Sequence, residues 1–134
     1  MQDGVRILME KGFARFQRTE GISDKALCKA VDELVSGLID ADLGRGLIKQ
    51  RVARKGQGKR GSFRTIIAYR VRHRVVLLFG FAKSGKANLA ADEFAELAKR
   101  GAVWLGAHDT VIDQALASEE LKELDCGKED QKQA

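Results

Sequence analysis

The sequence predicts an α+β domain built on an antiparallel sheet, with two helices before the central strands packed on one face, the other face open and basic, and further helices after the sheet. Three observations lead there. Helical spacing of apolar residues occurs near both ends of the chain, alternating or continuously apolar runs lie between, and those runs follow one another too closely for crossover helices. With 134 residues the chain fits one domain.

Val5, Ile7 and Met9 alternate and predict a short first strand. Phe13 and Phe16 share one helical face, so a short helix is expected from Glu10 to about Arg18, ended by Gly21. Ser23 then stands as an N-cap before Asp24, and Leu27, Val31, Leu34, Val35 and Leu38 keep the helical period, predicting a second helix from Asp24 to about Ile39. From Leu47 to Ala53 the chain alternates. Ile48, Gln50 and Val52 can face a core while Lys49 and Arg51 share the opposite face.

A glycine-rich connection, Lys55 to Gly61, leads to strand-like runs at Ser62 to Tyr69 and Arg74 to Ala82, with a two-residue hairpin turn expected around Val71 to His73. Asp92 and Glu93 then suit the positive end of a helix with its stripe at Phe94, Leu97, Ala98 and Leu105, and with Gly101 as its weak point. A shorter helix is expected at Thr110 to Ala117. Leu121 to Leu124 reads as an edge strand or an extension. The domain is expected to span residues 1–126, with a disordered tail at 127–134.

Charge distribution supplies the functional signal. No Asp or Glu occurs between Asp42 and Asp92, yet 13 of the 24 Lys and Arg residues lie there, so the stretch carries +13. The remainder, with 11 basic and 19 acidic residues, carries −8. Uncompensated charge of this kind usually marks disorder. Here apolar strands interrupt it, so the charge rides on a folded surface that suits a polyanion.

Several classes are excluded or disfavoured. The longest apolar run, Val75 to Ala82, is too short to cross a bilayer, and the start of the chain lacks a signal-peptide pattern, so a cytoplasmic protein without membrane contact is expected. Cys28 in a helix and Cys126 in a polar tail form neither a disulfide framework nor a metal site, and are read as inert thiols. No cofactor is expected. Gly80 to Lys86 matches the first seven positions of a phosphate-binding P-loop, but Ala87 replaces the magnesium-binding hydroxyl and no acid lies nearby to complete a nucleotidase. Any catalysis must therefore rest on cations. RNA cleavage can proceed so, because the ribose 2′-hydroxyl attacks its own phosphate while the protein stabilises charge and moves protons. Neighbouring positive charges disfavour the protonated form of a lysine, which could make one member of such a cluster a base.

Two runs carry a family resemblance: Lys59-Arg60-Gly61-Ser62-Phe63-Arg64-Thr65-Ile66-Ile67-Ala68-Tyr69, and Val75-Val76-Leu77-Leu78-Phe79-Gly80-Phe81-Ala82-Lys83-Ser84-Gly85-Lys86-Ala87-Asn88. With Gly21-Ile22-Ser23-Asp24 and the segment Gly37 to Gly44, the chain resembles the RelE/ParE toxin superfamily, in its HigB-like branch, over about Val5 to Leu124. The resemblance implies a compact RelE-like domain and a toxin of a type II toxin–antitoxin pair that cuts messenger RNA on the ribosome without a metal. It further implies neutralisation by a helix-turn-helix antitoxin, with operator DNA reached only through that complex.

Residue by residue, the resemblance gives Arg64 the scissile phosphate, Lys49 and Arg51 the roles of base or charge stabiliser, and Lys83 and Lys86 the basic positions after the last core strand. Ser84 stands where relatives often carry Arg, and Ala90 where they carry Tyr, so no general acid is assigned. Arg54, Lys55, Lys59 and Arg60 are expected to position phosphates, and Tyr69 to stack on a base. The alternatives are a ParE-like inhibitor of DNA gyrase and an RNA- or DNA-binding regulator acting with its antitoxin. Retention of the whole basic set favours RNA.

Overall fold

The computed structural model describes residues 5–54, 58–82 and 89–126, without the side chains of 54 and 58–61. The expected tail at 127–134 and residues 83–88 lie outside the described residues. The elements run β1 (Arg6–Glu10), α1 (Lys11–Glu20), α2 (Asp24–Val35), β2 (Ala41–Gly44), β3 (Leu47–Arg54), β4 (Gly58–Arg70), β5 (Arg74–Ala82), α3 (Ala91–Gly106), α4 (Asp109–Ala117) and β6 (Leu121–Glu123). One six-stranded sheet forms in the order β2-β3-β4-β5-β1-β6.

The sheet is antiparallel except at one seam, where β1 runs parallel to β5. β1 is interior, and Ile7, Leu8 and Met9 are all buried. A strand covered on both faces reads as an apolar run rather than as alternation. The first connection is α1 plus α2 plus three strands, long enough to return β1 beside β5 in parallel.

Alternation along the strands feeds two cores. Ile48, Val52, Phe63, Ile67 and Leu77 pack under α1 and α2. Leu47, Ile66, Ala68, Val76 and Leu78 pack under α3 and α4. Ser23 caps α2 as expected, its Oγ accepting from Ala26 N at 3.1 Å, and Leu27, Val31 and Leu34 are almost fully buried. Each such side chain contributes roughly 1.5–3 kcal/mol relative to exposure. α2 stops at Val35, four residues early, because Ser36 and Gly37 close it and leave Leu38 and Ile39 exposed.

Other departures have local causes. The face opposite α1 and α2 was expected to be open, but α3 crosses it. Gly101 permits the close approach: a Cβ there would lie 2.9 Å from the Ala68 Cβ. The predicted weak point of the helix is its contact point. The β4–β5 turn is a three-residue one, with Arg70 paired to Arg74, His73 N donating to Arg70 O at 3.0 Å and Arg72 at φ +61°. β2 was not expected at all.

The cysteines are not separate thiols. β6 runs back along β1, Leu124 N donates to Ile7 O at 2.9 Å, and this return carries Cys126 onto α2, where it forms a disulfide with Cys28. The two Cα atoms lie 5.6 Å apart across a sequence separation of 98. The spacing of two lone cysteines carried no sign of it.

Candidate nucleic-acid interface

Register places the predicted cations. Arg51 on β3 lies directly opposite Arg64 on β4, and Arg64 directly opposite Phe81 on β5, so three side chains form one row across the sheet. Lys49 lies opposite Ile66 in the parallel row two residues along. Because side chains alternate, Lys49, Arg51, Arg64 and Phe81 share the face that α3 covers only in part.

Opposed like charges in a sheet are destabilising. Arg64 is half-buried and its guanidinium donates to Ser62 Oγ at 2.8 Å, which fixes its direction along β4. Arg51 is exposed and pairs with Asp40 at 3.6 Å. Asp40 is itself held by Gln50, a buried residue whose Oε1 accepts from Asp40 N at 3.0 Å. The same amide donates to Ala30 O at 3.2 Å and Leu38 O at 3.0 Å, so it anchors the chain after α2 from beneath. An acid just outside the acid-free stretch thus reaches one of its cations.

Lys49 is half-buried at the wall of a cavity of about 280 Å³ that it shares with Leu43, Ile66, Phe81, Leu89 and Phe94. Phe94 comes from the first turn of α3, where Glu93 Oε1 accepts from Ala90 N at 2.8 Å. Phe79 and Phe81 pack with ring centroids 5.8 Å apart. On the other face of β5, a Cβ at Gly80 would overlap the Phe16 ring, so the first glycine of the P-loop-like run serves packing against α1.

The remaining predicted residues divide. Tyr69 is half-buried and packs against the α1/α2 core, on the opposite face from Arg64, so the fold does not bring it to the cationic row. Arg54, Lys59 and Arg60 belong to β3 and β4, but their side chains, like Lys55, Lys83 and Lys86, lie outside the described residues. Arg74, one of the 13 cations, is buried. It donates to Trp104 O at 2.6 Å, Ala107 O at 2.8 Å and Asp109 Oδ1 at 2.9 Å, tying the end of α3 to α4. Away from the row, Arg100 donates to Glu10, and this hydrogen bond raises its pKa above the usual arginine value.

Sequence reasoning passed over Asp40, Gln50, Phe81 and Phe94. Phe81 was detectable once β4 and β5 were aligned about their turn. Asp40 was hidden because its role depends on an unpredicted strand and on a buried glutamine.

Together these elements define a compact α+β domain that sets two arginines side by side on the sheet face crossed by α3. Residues 5–124 match the family described as RelE toxin of the RelE/RelB toxin–antitoxin system, and the chain belongs to that toxin family. Membership brings an antitoxin as partner. No curated protein matches the chain.

Proposed function

We propose that the chain is a ribosome-dependent mRNA endonuclease toxin that stops translation. The observation that carries this reading is the direct opposition of Arg51 and Arg64, an arrangement that disfavours the free protein and becomes favourable around a phosphate. Neighbouring cations stabilise the charge that develops when the ribose 2′-hydroxyl attacks, and they need no metal. Arg64 holds the scissile phosphate. Arg51 adds charge once Asp40 is displaced, and Lys49, one row away, adds a further stabilising charge. Lys83 and Lys86 complete the basic set in sequence.

The same reading assigns Arg54, Lys55, Lys59 and Arg60 to the RNA backbone and places the activity in the cytoplasm. The antitoxin is of helix-turn-helix type, in keeping with the HigB-like resemblance, and reaches operator DNA only in complex with the toxin. Induced expression tests it. Growth should arrest with translation failing first and ribosome-bound transcripts cut. Intact transcripts with lost DNA supercoiling would instead indicate gyrase inhibition.

A further inference from the structure

We infer that the cavity between β3–β5 and the first turn of α3 takes one nucleobase of the RNA whose phosphate lies on Arg51 and Arg64, stacked on Phe94 with Lys49 at its polar edge. This rests on the RNA reading above and names the contact that would orient the substrate there.

Position is the first argument. The Lys49–Ile66 row lies two residues from the Arg51–Arg64 row on the same face, a separation of roughly 7 Å along the strands. A phosphate held by the arginines therefore has its neighbouring nucleoside at the cavity.

Composition is the second. Phe81 and Phe94 give aromatic walls, Leu43, Ile66 and Leu89 add apolar surface, and Lys49 is the cation among the described lining residues. An ammonium donates hydrogen bonds and accepts none. The lining thus matches a flat apolar ring with acceptors on its rim, the form of a nucleobase. At about 280 Å³, the space falls just below the roughly 300–1,000 Å³ of pockets for drug-sized ligands, so it suits a single base. The space is open to solvent rather than enclosed, so a base can enter it from outside.

Phe94 is also separable from the fold. It is half-buried in the first turn of α3, whereas Leu97, Ala98 and Leu105 carry the packing of that helix. The cavity can lose its aromatic wall without losing α3.

The test uses fluorescence anisotropy with two labelled, uncleavable probes: a 2′-O-methyl uridine hexamer and an abasic hexamer with the same backbone. Base stacking is worth about 1–3 kcal/mol by alanine substitution, so Phe94→Ala should weaken uridine-hexamer binding about 5- to 150-fold and leave abasic binding unchanged. Phe94→Tyr should bind both probes as the unaltered protein does. Equal loss on both probes, or loss on neither, overturns the proposal. Arg64→Ala serves as the separate arm and should weaken both probes. If it weakens neither, the phosphate reading fails; if it weakens both while Phe94→Ala does nothing, only the base pocket fails.

Discussion

Arg51 and Arg64 stand as direct cross-strand neighbours on β3 and β4, and only Arg51 has a carboxylate within 4 Å among the described ion pairs. Arg64 instead donates to the neutral Ser62 hydroxyl. Removing Arg64 should therefore relieve repulsion while deleting the phosphate ligand. Arg64→Ala is expected to abolish growth arrest on induction, with the urea midpoint unchanged or raised by the equivalent of roughly 0.2–1 kcal/mol. Undiminished toxicity would remove Arg64 from the site.

On the proposed RNA reading, Asp40 competes with a phosphate for Arg51. Their contact is 3.6 Å long and partly solvated, so as a stabilising pair it contributes about 0–1 kcal/mol. Asp40→Asn should leave thermal stability nearly unchanged and tighten single-stranded RNA binding. One additional phosphate contact steepens the slope of log affinity against log salt by about 0.7. A salt titration of both proteins measures this directly, and identical slopes would mean that Asp40 does not restrain Arg51.

Elements whose residues obey a single rule were legible in the sequence. α2 follows the helical period behind a serine cap, and the alternation of β3 correctly put Lys49 and Arg51 opposite Ile48 and Val52. Features that depend on distant partners were not. β2 is four residues, Ala-Asp-Leu-Gly, with no periodic signal and only β3 to define it. The apolar stripe of α3 was plain, but a stripe does not say which sheet face it will cover. Tyr69 and Arg64 both lie on β4 within the basic stretch, and their odd separation of five residues sends them to opposite faces. Arg74 shows the limit of reading charge as surface, because a guanidinium can be buried when helix-end carbonyls need donors.

The disulfide fastens the C-terminal segment to α2. Joining residues 98 apart restricts the unfolded chain, and loop-entropy reasoning gives up to about 4.7 kcal/mol for a loop near 100 residues, with 2–4 typical. Urea denaturation with and without a thiol reductant should show a loss of that order. Cys126→Ser should match the reduced protein under both conditions. Coincident curves for oxidised and reduced protein would show that the bridge adds no stability. Neither cysteine touches the cationic row, so RNA binding by reduced, folded protein should stay the same.

Arg74 gives the sharpest separation between charge that binds and charge that builds. Its side chain is 2% exposed, and its guanidinium satisfies the carbonyls of Trp104 and Ala107, where α3 has no helical donors left. Asp109, its third partner, is 76% exposed and can be hydrated when the arginine is removed. Arg74→Met should therefore cost roughly 2–4 kcal/mol, chiefly from two carbonyls left without donors. Because this guanidinium is almost wholly buried and turned to the helix ends, the salt dependence of RNA binding by the folded variant should equal that of the unaltered protein. A reduced slope would place Arg74 at the RNA, and unchanged stability would mean that the carbonyls find other donors.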